Sequence, residues 1–138
     1  LAKDPMNLLR RSIKWEMLPS GLLTCTMFHA LLAPDAALRS NFGQSIEGPV
    51  AEIVVRNWGA LIGLMGVLLI CGAFREQIRT VALLVAGTSK VIFIALVLSL
   101  GQPFLPFQVG VSIVVDTLMV VLFASYLIAE RFSPQRAG

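Results

Sequence analysis

Two charged residues stand where a folded chain can least accommodate them: Lys90 inside GTSKVIFIALVLSL and Asp116 inside VGVSIVVDTLMVVLF. Each lies near the middle of an apolar stretch long enough to cross a bilayer, where an unpartnered charge costs roughly 2.5–3.5 kcal/mol on insertion scales. Any fold of this chain must bring each to a partner or to water. We read them as the floor of a polar pocket inside an all-α, integral membrane four-helix bundle preceded by a short N-terminal interfacial helix.

Composition agrees with that class. Of the 138 residues, 57% are hydrophobic and 14% charged, with a mean hydropathy of +0.82; in soluble domains about a quarter are charged. The apolar stretches use most of the length, and the longest polar connection covers only residues 34–49, so the expectation is one membrane domain over 1–138. The net charge of +3 comes from basic residues gathered at helix ends, where anionic headgroups lie. The partner they imply is the lipid bilayer, not nucleic acid. Cys25 and Cys71 both fall in apolar segments, with no CxxC and no Cys/His cluster. They are expected as small buried hydrophobes, and no metal site is expected.

Met6, Leu9 and Ile13 recur at helical spacing, interrupted by Arg10, Arg11 and Lys14, a pattern that suits a helix lying on the membrane surface. The first crossing is expected at about 15–33, with Trp15 as an interfacial anchor and Pro19 in its first turn. The basic residues before it also fit a cleaved signal peptide, but three further spans follow, and retention is the expectation. The connection 34–49 has room for a short helix over the bundle mouth. Further crossings are expected at about 50–74, 78–100 and 107–129, separated by Arg75-Glu76-Gln77 and by Gly101-Gln102-Pro103, whose Gly and Pro stop a helix. Each span is long enough for a hydrocarbon core about 30 Å thick.

Four crossings place both termini on one side. That side collects Lys3, Arg10, Arg11, Lys14, Arg75, Arg79, Arg131 and Arg136, while the opposite loops hold only Arg39. The asymmetry predicts cytoplasmic N- and C-termini, and the expected location is a bacterial inner membrane.

In the second crossing Glu52, Arg56, Gly59, Gly63, Gly66 and Ile70 share one helical face, which the pattern turns inward. Its small residues, including Gly59-x-x-x-Gly63, permit close helix approach. Glu52 and Arg56 are an i, i+4 pair in the favourable order, and Asn57 adds polar capacity beside them. His29, the single histidine, shares a face with Gly21 and Cys25 and falls at the depth of Glu52 and Arg56. With no second histidine, bis-histidine haem within one chain is excluded, and a single axial haem ligand stays open. Lys90 and Asp116 lie ten and nine residues from the outer ends of their spans, about 14–15 Å deep at 1.5 Å per residue. Antiparallel neighbours joined by a short loop bring them level, so an ion pair is the first expectation, with Ser112 a donor to the carboxylate. The pair either fixes helix register or binds a polar ligand group or moves protons.

The segment Pro49-Val50-Ala51-Glu52-Ile53, then Arg56 and Gly59-Ala60-Leu61-Ile62-Gly63-Leu64, then a basic turn, resembles the DoxX-like superfamily, in particular a small four-helix "domain of unknown function" branch. Glu52, Gly59, Gly63, Lys90, Gly101-Gln102-Pro103 and Asp116 match that pattern over about residues 17–130. Lys90 stands where arginine is more usual, and Asp116 where glutamate is. The resemblance implies a four-helix bundle and an association with membrane redox complexes and quinone or thiosulfate chemistry.

Three functions follow from these residues. The leading one is a ligand-binding module or accessory subunit of a membrane complex, its cofactor or ligand unspecified and a quinone or lipid compatible with the pocket. The ligand-binding candidates are His29, Glu52, Arg56, Asn57, Lys90 and Asp116. The second is a membrane isomerase or hydrolase for a small lipophilic substrate, with Asp116 or Glu52 as acid/base, Lys90 or Arg56 stabilising negative charge and His29 transferring protons. The third is a proton-coupled transporter whose walls need a homo-oligomer.

Overall fold

The computed structural model describes residues 5–132, and every regular element among them is helical. Lys3, Arg136 and the side chain of Met6 lie outside the described residues. The chain runs as α1 (Pro5–Cys25), α2 (Phe28–Leu32), α3 (Pro34–Phe42), α4 (Gly48–Phe74), α5 (Glu76–Leu100), a 3-10 turn at Gln102–Phe104, and α6 (Gln108–Arg131). Three of these, α4, α5 and α6, are long and apolar enough to cross a membrane. Their outer faces carry Leu61, Leu64, Leu84, Ile92, Val114 and Leu118, each more than half exposed, a surface suited to lipid rather than water.

The N-terminal region departs from expectation. The surface helix and the start of the first crossing are one continuous helix, α1, with Pro19 inside it. Ile13 and Met17 are buried at 1% and 0% exposure in a core with Leu69, Ala73, Leu83 and Phe123. The helix therefore enters the core before Trp15 instead of lying flat on a surface. Arg10 and Arg11 leave on its exposed side, and Arg10 reaches Glu130 of α6 at 3.7 Å. The expected crossing at 15–33 is also broken: α1 ends at Cys25, and a turn at Thr26–Met27 starts α2.

This broken segment runs antiparallel along α4. Met17 lies at Gly72, Gly21 and Cys25 at Gly66, Phe28 at Gly63, and Met27 with Ala30 at Gly59. The glycine face thus serves close approach of two backbones, and Cys25 Sγ donates to the Gly63 carbonyl at 3.7 Å. Cys71, expected inside, is exposed. The remaining neighbour pairs α4–α5, α5–α6 and α1–α6 close a ring of helices.

Tight connections hold the ring together. Arg75 ends α4 and opens α5 in extended conformation. Arg79, buried at 5% exposure, folds back to donate to the carbonyls of Gly72 and Ala73 at 3.0 and 2.8 Å. It thereby satisfies carbonyls that a helix C-terminus leaves unpaired. At the other end α3 closes with Gly43 at φ +67°, a left-handed cap that favours glycine.

A methyl group on Gly66 would sit 2.6 Å from both the Cys25 nitrogen and the Gly21 oxygen, whereas one on Gly87 meets nothing nearer than 3.9 Å. Gly66→Ala is expected to destabilise by about 1–3 kcal/mol through overpacking, and Gly87→Ala to be neutral or slightly stabilising. Thermal unfolding of the two variants in detergent checks the contrast.

Candidate functional site

Lys90 of α5 and Asp116 of α6 face each other because the short connection 101–107 sets their helices antiparallel and level. Lys90 Nζ donates to Asp116 Oδ1 at 2.5 Å and to Thr24 Oγ1 of α1 at 3.5 Å. The Thr24 hydroxyl spends its own proton on the Ser20 carbonyl, at 2.7 Å, which leaves its oxygen free to accept from the ammonium. One contact group therefore ties three helices together. Ser112 does not join it, because its hydroxyl donates to the Gln108 carbonyl of its own helix at 3.2 Å.

Above this group lies a cavity of about 210 Å³. For comparison, an engineered apolar cavity of about 150 Å³ holds benzene. Its wall includes Trp58, Ile62 and Met65 of α4, Phe93 of α5 and Met119 of α6, with Ser89 and Ser112 among the polar groups. The roof is α3: Asn41 is buried over the cavity. Its neighbour Phe42 packs against Trp58 at 6.1 Å and edge-on to Phe104 at 5.8 Å between ring centroids. Asp35 braces the roof, accepting from the Ile46 amide at 3.0 Å and from Arg39 Nε at 2.7 Å. These contacts, the Ile46 amide first, hold its carboxyl below the usual range.

The expected site residues separate into three groups. Lys90 and Asp116 line the cavity together. Glu52 and Arg56 pair with each other, at 2.9 and 2.7 Å from Nε and Nη2 to Oε1. Arg56 Nη1 also donates to the Leu31 carbonyl near the end of α2. That pair sits outside the cavity and fastens α2 to α4. His29 and Asn57 are exposed and are not among the cavity-lining residues. The reason is angular: the face of α4 running through Glu52, Arg56 and the glycines is occupied by α1 and α2. The cavity is lined by the adjacent stripe Trp58-Ile62-Met65 instead.

Thr24, Asn41, Phe93, Met119 and, on α4, Trp58, Ile62 and Met65 are among the lining residues that sequence reasoning passed over. The i, i+4, i+7 spacing of Trp58, Ile62 and Met65 was the available signal. No family model, curated protein or solved structure matches this chain.

Breaking a buried charge pair on one side strands the other charge, at a cost of roughly 3–5 kcal/mol, whereas replacing both partners with apolar groups is often tolerated. Lys90→Met and Asp116→Leu are each expected to lose stability on that scale. The double variant should be more stable than either single one, as read by denaturant unfolding in detergent. For the roof, the folded Asp35 carboxyl is depressed, so its stabilisation is complete above the ordinary carboxylate pKa. It is lost as pH falls through the lower folded value. Exchange of the Ile46 amide, corrected for intrinsic rate, should stay protected at neutral pH and accelerate only in acid; in Asp35→Asn it should be faster at neutral pH.

Proposed function

We propose that this chain is an integral membrane protein of four crossings whose cavity binds a small lipophilic molecule at the Lys90–Asp116 pair. In this reading it is a ligand-binding module or accessory subunit of a membrane complex. The observation that carries the reading is the joining of an apolar-walled cavity to a charged group buried at mid-helix. Pockets that hold small molecules have this construction, mostly apolar with a few convergent polar groups. Ionisable residues at such depth in a membrane span are rare and mark substrate or ion pathways.

The fourth crossing is α1 continued by α2. It follows α4 from Gly72 to Gly59, about 20 Å of helix, and beyond its break α2 packs on α4 and α3. Arg10, Arg11, Lys14, Arg75, Arg79 and Arg131 then lie at one end and Arg39 at the other, which orients both termini to the cytoplasm. The resemblance to the DoxX-like superfamily belongs to the same proposal and rests on Glu52, Gly59, Gly63, Lys90 and Asp116.

The test is the composition of the purified protein. The full chain, extracted with its native lipid into polymer-bounded discs, is expected to carry one lipophilic species at near-equimolar amount, found by mass spectrometry of an organic extract. The Lys90→Met/Asp116→Leu variant, matched for helicity, should lose that species. Identical lipid profiles for the two proteins, with nothing enriched over the bulk membrane, would overturn the reading.

A further inference from the structure

The cavity has a side door. Its lining residues from α3, α4 and α5 are all buried or half-buried, but Leu23 and Thr26 at the end of α1 and Gln108 and Val111 at the start of α6 are exposed. Leu23 is 51% and Val111 64% exposed. These four flank one gap, where the chain leaves α1 at the Thr26–Met27 turn and follows α4 as α2. Access from the outer aqueous side is covered instead by Asn41 and by the packed rings of Phe42, Trp58 and Phe104. Lys90 and Asp116 lie ten and eight residues from the outer ends of their helices, roughly 12–15 Å deep at 1.5 Å per residue. Gln108 is the first residue of α6 and Val111 lies three residues, about 4.5 Å, further in, so the gap starts at the outer end and extends inward toward the pair, bordered by the exposed apolar side chains of Leu23 and Val111.

The head-group chemistry is equally constrained. The ammonium has three protons, and Asp116 Oδ1 and Thr24 Oγ1 accept two of them. Asp116 Oδ2 accepts from no protein donor among the described residues, and no polar side-chain atom is both fully buried and unpaired. The pair thus keeps one donor and one acceptor unused by protein groups among the described residues, both on residues that line the cavity, and its charges already cancel. A carboxylate or an amine would need to displace one partner of the pair. A hydroxyl matches both groups at once, accepting from Lys90 and donating to Asp116.

Building on the binding function proposed above, we infer that the ligand is an uncharged lipophile with a hydroxyl head. It enters sideways from the bilayer between the end of α1 and the first turns of α6. The cavity's size takes a single ring, and Met27, Met65 and Met119 supply adaptable walls for it. A longer tail stays in the lipid through the same opening.

The experiment uses the full chain in lipid nanodiscs with Trp15→Phe, which leaves Trp58 of the cavity wall as the single tryptophan. The probe is 2-bromo-4-heptylphenol, whose bromine quenches a neighbouring indole; its methyl ether, which cannot donate, is the control. Saturable quenching by the phenol is expected, with at least tenfold weaker binding of the ether and of the phenol to Lys90→Met/Asp116→Leu. Leu23→Phe/Val111→Phe should slow association at least fivefold, whereas Val114→Phe/Leu118→Phe, on the outward face of α6, should not. Equal affinity for phenol and ether would overturn the hydroxyl head, and an unchanged association rate in the doorway variant would overturn lateral entry. A lipophile found by extraction together with no saturable quenching by the phenol would overturn this inference alone. No extracted species and no quenching would remove the binding function with it.

Discussion

The approach of α1 and α2 to α4 at backbone distance governs much of the structure. Gly21, Gly59 and Gly66 let backbone atoms of the two segments approach, Gly63 receives the Phe28 ring, and a methyl at any of the four would fall within 2.8 Å of neighbouring atoms. In lipid, where apolar surface gains nothing by leaving the solvent, such van der Waals contact is the main source of helix association. It also commits the chain after Cys25. Phe28 and Ala30 are held against Gly63 and Gly59, and Arg56 fastens the Leu31 carbonyl, so α2 goes with α4. The start of α6 is left facing Leu23 and Thr26 across a gap.

The charged pair solves a different problem. Lys90 at 8% exposure is too buried to stand alone, and the same contact that neutralises it fixes the register of α5 against α6 and of both against α1. Buried ion pairs add little net stability compared with apolar packing. Their value in a ring of smooth apolar helices is positional, because sliding α6 by one turn would separate the charges by about 5.4 Å. Arg79 acts comparably at the opposite end, where its guanidinium holds the last turn of α4 to the first turn of α5.

Helix length and polarity were plain in the sequence because they depend on composition along the chain. The apolar runs after residues 50, 78 and 107 are carried by α4, α5 and α6. The equal depth of Lys90 and Asp116 needed only helix rise and a short loop. Direction around a helix was harder to read. The face through Glu52, Arg56 and Gly59 was correctly recognised as coherent, but periodicity cannot say which neighbour will occupy it. It met α1 and α2, and Trp58, Ile62 and Met65 turned to the cavity. The break at Thr26–Met27 carries no glycine or proline, so nothing local announced it. His29, one turn beyond, was consequently assigned to the interior face and lies exposed.

Structural and binding roles for Lys90 and Asp116 are compatible, and the hydrogen-bond geometry says why. Register needs one strong contact, from Nζ to Oδ1, and uses one proton and one oxygen of the pair. An ammonium and a carboxylate together carry more capacity than that. In a dry, close-packed core the surplus would have to be met by other protein groups or remain as a buried unpaired atom, which folded proteins avoid. Here Thr24 takes part of it and the remainder borders a cavity. Ser112 and Thr117, the hydroxyls on either side of Asp116 in α6, each donate to a carbonyl of their own helix. The contact that fixes register and the cavity therefore share the same two side chains, with hydrogen-bonding capacity beyond the single Nζ to Oδ1 contact.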